Sequence, residues 1–241
     1  FGFAGSFISL LISKPMAKWS TRAQIIKQPS NSGEKWLLDT VRELSEKAGI
    51  GMPEVGVFPA QQSNAFATGW NKNAALVAVS QGMLQRFRPE EVRAVLAHEM
   101  GHAYHRHPTQ IALRAVGIAM FTDLLTGDGS AIVELAGELG GMLLLLSYSR
   151  EMERQADAFG RNLMHRAGLS TTAMAQLFAR LRDNSGDRNG GGLFGYFNSH
   201  PPLDERITVG IAAEIAAGGE VSGGQPALDD ARWRSLQAIC G

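Results

Sequence analysis

The pentapeptide HEMGH at residues 98–102 constrains this chain more than any other stretch. It follows Pro89, which suits the first position of a helix, and apolar residues recur around it at helical spacing, so we expect it to lie on a helix. On a helix, His98 and His102 share one face about 6 Å apart. Two imidazoles at that separation can bind one zinc ion, with Glu99 beside them to act on a water molecule. The alternative is a helix that carries two histidines by chance.

A catalytic zinc ion needs a third protein ligand, and the segment ERQAD at 153–157 offers two candidates. Glu153 and Asp157 lie four residues apart on a second amphipathic helix. One of them can bind the metal while the other accepts a hydrogen bond from a ligand histidine. We interpret the neighbouring Glu151 and Arg154 as part of a solvated charged face.

The three-histidine arrangement of the metzincins is excluded, because its third histidine would fall at position 108, which is a proline. His105 and His107 are therefore interpreted as surface or supporting residues and not as metal ligands. Two imidazoles and one carboxylate favour one zinc ion per chain, although manganese or cobalt fits the same ligands.

Composition limits the other possibilities. The 241 residues are 44% hydrophobic and 19% charged, which is typical of a globular protein with its own core. Acidic and basic residues number 23 each, so the charge balance gives no electrostatic case for a nucleic-acid partner. The single cysteine, Cys240, excludes an intrachain disulfide, which suits a reducing compartment.

The chain opens on an apolar run, residues 1–13, which is followed by basic residues up to Arg22. This run is shorter than the ~20 residues that cross a bilayer, and no basic region precedes it as in a signal peptide. We interpret residues 1–22 as the remnant of an N-terminal membrane anchor. Its flanking positive charges would place residues 23–241, a single domain, in the cytoplasm. A buried amphipathic segment is the alternative.

Three short runs rich in β-branched and small apolar residues predict strands at 54–59, 63–69 and 74–80. We expect them to form a small antiparallel sheet within an α+β fold. Asn64, Ala65 and Phe66 begin the second strand. At the sheet edge near the metal, this strand could hold an extended substrate through its backbone, and ordinary hairpin packing is the alternative.

Two apolar helices are predicted between the histidine and glutamate helices, at 109–126 and 131–148. Charged residues such as Arg114 and Glu138 interrupt them, so neither is a good membrane span and we interpret both as core helices. A glycine-rich stretch at 184–192 predicts a flexible surface loop.

His200 stands before two prolines, and Arg206 follows about one and a half turns further on. The pair could direct two polar donors at one site, where a peptidase stabilises an oxyanion. The alternative is an exposed loop histidine and a surface arginine.

The motifs SNAFATG, HEMGH, ERQAD and HPPLDERI, in that order, resemble the HtpX and CAAX-prenyl-protease family of membrane-linked gluzincin metallopeptidases. The resemblance spans most of the chain and implies a zincin-like fold. The zinc ligands that it implies are His98, His102 and Glu153. The other residues that it implies for the active site are the general base Glu99, the orienting Asp157, His200 and Arg206 near the oxyanion, and Asn64, Ala65 and Phe66 on the substrate strand.

By this resemblance, the chain is expected to be a zinc-dependent metalloendopeptidase that hydrolyses misfolded or membrane-associated proteins in bacterial membrane quality control and stress response. The expected place is the inner membrane, with the catalytic domain in the cytoplasm or, alternatively, in the periplasm. Up to about residue 88 the chain is most similar to HtpX, and from HEMGH onward it is closer to the BepA- and LoiP-like branch.

Two alternatives to the peptidase remain open at this stage. One is a latent or catalytically silent scaffold that binds unfolded segments along residues 64–69. The other is hydrolysis of a bond other than a peptide by the same zinc chemistry.

Overall fold

The computed structural model describes residues 14–69, 71–127, 129–131, 148–171, 173–177, 200, 203–216 and 234. Three predicted segments lie outside these residues. They are the apolar start of the chain at 1–13, residues 132–147 of the second apolar helix, and the glycine-rich loop at 184–192. The elements, in chain order, are β1 (Gln24–Ile25), α1 (Ser32–Ala48), β2 (Glu54–Phe58), β3 (Ala65–Thr68), β4 (Leu76–Ser80), α2 (Gln81–Arg86), α3 (Pro89–Tyr104), α4 (His107–Thr126), α5 (Arg150–Arg166) and α6 (Leu203–Ala216).

Local capping explains where the first long helix begins and ends. The side chain of Asn31 accepts a hydrogen bond from the Glu34 backbone N–H at 2.9 Å, which satisfies one of the free donors of the first turn of α1. The helix ends at Gly49, whose φ of +65° is a left-handed conformation that glycine adopts without steric cost. One face of α1, including Leu37 and Val41, is buried in the core.

The sheet is mixed, and the expectation of a wholly antiparallel sheet was wrong. Its strand order is β1-β2-β4-β3, with β2 and β4 parallel and the other two pairs antiparallel. The chain therefore forms β3 at the edge of the sheet before it forms β4, and β4 is then inserted between β2 and β3. The signal for this central position was the uninterrupted apolar run of β4, because every residue of that strand is buried.

Strand β3 lies at one edge of the sheet, the position that the sequence analysis considered beside ordinary hairpin packing, and it contacts α3. It also pairs antiparallel with β4. Ser80, the last residue of β4, holds this edge in place. Its Oγ accepts hydrogen bonds from the backbone N–H of Asn64 at 2.8 Å and of Met83 at 3.0 Å. One hydroxyl therefore fixes the start of β3 and caps helix α2.

Helix α3 is the centre of the molecule, because it contacts the sheet and the helices α1, α2, α4 and α5. It begins at Pro89, and Glu91 accepts a hydrogen bond from the backbone N–H of Arg88 at 2.8 Å. Twelve of its sixteen residues are buried, so the helix is enclosed on nearly all sides.

Helix α4 is not the core helix that the sequence predicted. Only His107, Pro108, Ala112 and Ala119 are buried along its length. Its exposed large apolar residues are Leu113, Ile118, Phe121, Leu124 and Leu125. Apolar composition alone cannot tell a core helix from a helix that exposes an apolar face, since both contain the same residue types.

Within the part of the chain that is described, no helix combines the length and the hydropathy needed to cross a membrane.

Candidate metal centre

The predicted helix presents both histidines of HEMGH on one buried face. His98 is 1% exposed and His102 is fully buried, and their ring centroids are 4.7 Å apart. Their Nε2 atoms approach to 3.0 Å. Two ring nitrogens therefore converge on a single point inside the protein.

The N-terminal half of α5 brings Glu153 and Asp157 to the same point. One oxygen of Glu153 lies 3.5 Å from His102 Nε2, and the other lies 3.6 Å from His98 Nε2. Asp157 contacts the other side of His98, where its Oδ1 is 2.8 Å from Nδ1. Both carboxylates are nearly inaccessible to solvent.

Close packing of α3 on α5 makes this approach possible. A Cβ atom on Gly101 would lie 2.9 Å from both the Cα and the carbonyl oxygen of Ala156. A Cβ atom on Gly160 would lie 3.2 Å from the backbone nitrogen of His98. Glycine at these two positions allows the two helix backbones to touch, and the sequence analysis did not identify this requirement.

His200 completes a buried group of four side chains that could hold a metal ion, namely His98, His102, Glu153 and His200, whose ligand atoms all lie within 4.8 Å of one another. Its Nδ1 is 2.9 Å from Glu153 Oε1 and 3.3 Å from His98 Nε2. Its Nε2 is 3.4 Å from Glu99 Oε1. The structure thus brings His200 among the candidate ligand atoms, and its role toward an oxyanion stays a prediction.

Arg206 is buried and forms two hydrogen bonds to Asp157. Its Nε donates to Oδ2 at 2.7 Å and its Nη2 to Oδ1 at 2.8 Å. Its Nη1 also lies 3.0 Å from Glu153 Oε2. These contacts hold the guanidinium against both carboxylates of α5, so it lies beside the candidate ligands, and its predicted contact with an oxyanion remains a prediction.

Burial and neighbouring charges shift the pKa values of the two carboxylates in opposite directions. Burial raises the pKa of Glu153 to about 7, despite the opposing attraction of His98 and Arg206. Burial also acts to raise the pKa of Asp157, but Arg206 and His98 overcome it and hold that pKa well below its usual range. Asp157 is therefore an anion at neutral pH, whereas Glu153, with its raised pKa, takes up a proton near neutral pH.

Burial lowers the pKa of the three histidines in this group, His98, His102 and His200. Arg206 lowers the pKa of His102 and His200 further, and the neighbouring histidines do the same for His102. Neutral imidazole is the form that binds a metal ion. The side chains therefore fit a divalent cation in both donor chemistry and protonation. A buried oxygen of Glu153, Oε2, supports this fit, because no described donor is aligned to hydrogen-bond it.

Tyr148 was not singled out by the sequence analysis, although it lies at this site. Its ring stacks on His102 with centroids 3.9 Å apart and lies 5.2 Å from the ring of His200. Burial, together with Glu99 and Glu153, raises the pKa of its phenol well above the usual value, so it stays neutral. No motif identified this residue, because its contact with the histidines is made by tertiary packing.

The predicted substrate residues lie at the start of the edge strand. Ala65 is buried and Phe66 packs on Phe58 with ring centroids 5.5 Å apart. The backbone of Asn64 is bonded to Ser80, but its side-chain Oδ1 is buried and has no hydrogen-bond partner among the described residues. This oxygen is a candidate acceptor for a bound chain.

An H-E-x-x-H pair on a central helix, a buried glutamate on a facing helix and a small sheet beside them define the class of metallopeptidases. The chain belongs to peptidase family M48, whose model matches residues 31–209. It is therefore a metalloendopeptidase related to the HtpX proteases.

The relatives support this assignment over most of the chain. Protease HtpX of Alcanivorax borkumensis is 48% identical, with 86% of this chain and 80% of the relative covered. Protease HtpX of Pseudomonas putida is 46% identical, with 86% and 81% covered. Similarity to HtpX thus continues well beyond residue 88, the point at which the sequence analysis placed a change of branch.

A solved structure, that of S. mikatae Ste24p, shares the fold. It superposes with a TM-score of 0.55 at 17% sequence identity. The match covers 86% of this chain and 55% of that one, so this chain spans about half the length of Ste24p. At this identity, the likeness concerns the fold alone.

Proposed function

We propose that His98, His102 and Glu153 bind one zinc ion and that Glu99 acts as the general base of peptide hydrolysis. The observation that carries this proposal is the convergence of His98 Nε2, His102 Nε2 and the Glu153 carboxylate, with separations of 3.0 to 3.6 Å, in a buried site. Two imidazoles and one carboxylate are a common ligand set of catalytic zinc.

The partners of the two α5 carboxylates support Glu153, and not Asp157, as the third ligand. Both oxygens of Asp157 are already engaged, by Arg206 and by His98. We propose that Asp157 accepts the Nδ1–H of His98 and thereby leaves Nε2 of that ring free for the metal. Glu153 directs both oxygens toward the two histidine Nε2 atoms.

A bound zinc ion supplies a Lewis acid that polarises the scissile carbonyl and lowers the pKa of a water molecule. Glu99, next to the ligand His98, takes a proton from the attacking water and passes it to the leaving amine. His200 lies 3.4 Å from Glu99, and this distance supports a role for His200 as a hydrogen-bond donor to a substrate oxygen. Arg206 contacts Asp157 and Glu153 and stabilises their negative charge.

We further propose that the substrate binds as an extended chain along β3. Strand β3 is a sheet edge beside α3, and the Oδ1 of Asn64 is a free acceptor among the described residues. Edge strands bind extended peptides through backbone hydrogen bonds. Such binding is insensitive to sequence and suits unfolded or membrane-protein segments as substrates.

A place at a bacterial membrane, in protein quality control, is also part of this proposal. Trp19 is 78% exposed on the helical residues 14–21, which follow the apolar start of the chain. An exposed tryptophan after an apolar run is typical of a membrane interface. The apolar surface of α4 is consistent with the same location. We propose the cytoplasmic side for residues 23–241, and protease accessibility in inverted and right-side-out vesicles tests this against the periplasmic alternative.

Metal content and cleavage of unfolded casein, measured on the same samples, test the proposed site. Wild type is expected to contain about one zinc per chain and to cleave casein. Glu99→Gln should keep its zinc and lose about 100- to 10,000-fold in kcat. Glu153→Ala should lose both zinc and activity, whereas Glu205→Ala, which removes an exposed carboxylate on α6, should lose neither. Full zinc occupancy in Glu153→Ala would remove Glu153 from the ligand set.

A further inference from the structure

A chain of hydrogen-bonded side chains leads from the exposed first turn of α5 to His102. Gln155 Nε2 donates to Glu151 Oε1 at 3.0 Å. Gln155 Oε1 lies 3.0 Å from His107 Nε2, and His107 Nδ1 lies 2.9 Å from His102 Nδ1. His107 is fully buried, so these contacts are its hydrogen-bonding environment among the described residues.

The chemistry of the groups determines where each proton lies. The carboxylate of Glu151 only accepts, so the amide of Gln155 must turn its nitrogen toward Glu151 and its oxygen toward His107. That oxygen accepts, so His107 carries its proton on Nε2. The Nδ1 of a neutral His107 is then unprotonated and accepts a hydrogen bond from the Nδ1–H of His102. The remaining nitrogen of His102, Nε2, is left bare and faces His98 and Glu153.

We propose that Gln155, anchored by Glu151 and acting through His107, is a positioning residue that holds His102 in the tautomer whose Nε2 binds the metal. This inference rests on the proposed metal site. Turning the Gln155 amide by 180° would place a donor against His107, move its proton to Nδ1, and force the proton of His102 onto Nε2, where it blocks a metal ion. The orientation of one amide thus determines whether His102 is a ligand.

The two histidines of HEMGH are therefore oriented by different means. His98 is held by an ion pair, since Asp157 is bonded to Arg206. His102 is held by a neutral chain of an imidazole and an amide that ends on an exposed carboxylate. The neutral chain orients His102 without adding another buried charge to the site, which already contains Asp157 and Glu153.

The test measures zinc affinity by competition with a chelator and, separately, the tautomer of His102 in metal-free protein by ¹⁵N NMR of labelled histidines. Gln155→Met keeps the side-chain length and removes the acceptor. It should weaken zinc binding roughly 10- to 100-fold and give a mixture of His102 tautomers. Gln176→Met makes the same change at an exposed glutamine on another helix and should change neither quantity.

A second pair of variants tests the anchor without touching Gln155. Glu151→Leu frees the amide to rotate and should weaken zinc binding and mix the tautomers. Glu205→Leu removes another exposed carboxylate that pairs with the same Arg154, and it controls for the lost charge. Unchanged tautomer and zinc affinity in Gln155→Met would overturn the inference. Absence of zinc from wild type would instead overturn the proposed metal site, and the tautomer measurement would still test the hydrogen-bonded chain.

Discussion

Glu153 and Asp157 show how surroundings give two acidic residues, one helical turn apart, opposite properties. Asp157 receives two hydrogen bonds from Arg206 and faces the Nδ1 of His98, so its negative charge is stabilised. Glu153 is as deeply buried, but its Oε2 has no aligned donor among the described residues. A buried carboxylate with one oxygen that no donor is aligned to reach is stabilised by gaining either a proton or a metal ion.

The pKa of Glu153 predicts how zinc binding depends on pH. In metal-free protein this pKa is raised to about 7 by burial, so a proton competes with the metal below that pH. The zinc affinity is expected to fall about tenfold per pH unit below 7 and to level off above it, since one proton is displaced per ion bound. Chelator competition over roughly one and a half pH units on either side of 7 measures how the zinc affinity depends on pH. An affinity independent of pH throughout that range would contradict the prediction.

Replacement of Arg206 should destabilise the metal-free protein strongly. Arg206→Met leaves the buried charge of Asp157 without its cationic partner, and breaking such a pair costs about 3–5 kcal/mol in the free energy of unfolding. Urea denaturation measures this change. Adding Asp157→Asn to Arg206→Met removes the isolated charge and should recover part of the loss. A single variant as stable as wild type would show that the ion pair does not support the fold.

At the scale of elements, the contact between α3 and α5 determines the geometry of the site. The histidines lie on α3 and the carboxylates on α5, so the distance between the two helix axes sets the size of the proposed metal site. Gly101 and Gly160 allow the backbones to approach closely. Any side chain at these positions would move the carboxylates away from the histidines.

Gly101→Ala is therefore expected to weaken both the fold and the metal site. The added Cβ would lie 2.9 Å from backbone atoms of Ala156, which cannot move aside as a side-chain end can. We expect a loss of about 1–3 kcal/mol in the free energy of unfolding, with weaker zinc binding. The matched control is Gly117→Ala on α4, where a Cβ meets no atom within 4 Å. It should be neutral or stabilising by up to about 1 kcal/mol, because alanine favours a helix more than glycine.

Equal stabilities and equal zinc affinities of Gly101→Ala and wild type would show that the two helices can separate without consequence for the site. Denaturation and chelator competition on the same preparations distinguish a loss of fold from a loss of metal binding alone.

At the scale of the whole molecule, the site joins segments that are distant in sequence. His98 lies on α3, Glu153 on α5, His200 three residues before the start of α6, and Arg206 on α6 itself. A metal ion that binds ligands from different segments stabilises only the folded chain, because the unfolded chain cannot present them together.

Removal of the metal should accordingly lower the stability of the whole domain. With zinc at 1,000 times its dissociation constant, the free energy of unfolding is expected to exceed that of chelated protein by about 4 kcal/mol. Thermal denaturation with and without chelator measures the difference. Glu153→Ala should show almost no response to chelator, and a response equal to that of wild type would place the stabilising ion elsewhere.

The sequence by itself determined the local features of this protein. The helix around HEMGH, the strands near 54–59, 63–69 and 74–80, and the helix that carries Glu153 follow from periodicity and capping, which depend on residues close in the chain. The motifs were also sufficient to indicate a metallopeptidase. Spacing alone placed His98 and His102 on one face, because four residues make about one turn.

Tertiary structure decided what depends on distant partners. Strand periodicity does not specify neighbours, so only the fold shows β4 between β2 and β3 and parallel to β2. Helical spacing does not distinguish Glu153 from Asp157, and it is the hydrogen bonds of Asp157 to Arg206 and its contact with His98 that do so. The exposed apolar face of α4, the ring of Tyr148 on His102 and the chain through His107 likewise arise from packing. The physical reason is that burial and hydrogen-bond partners are set by contacts between segments, which a local pattern does not encode.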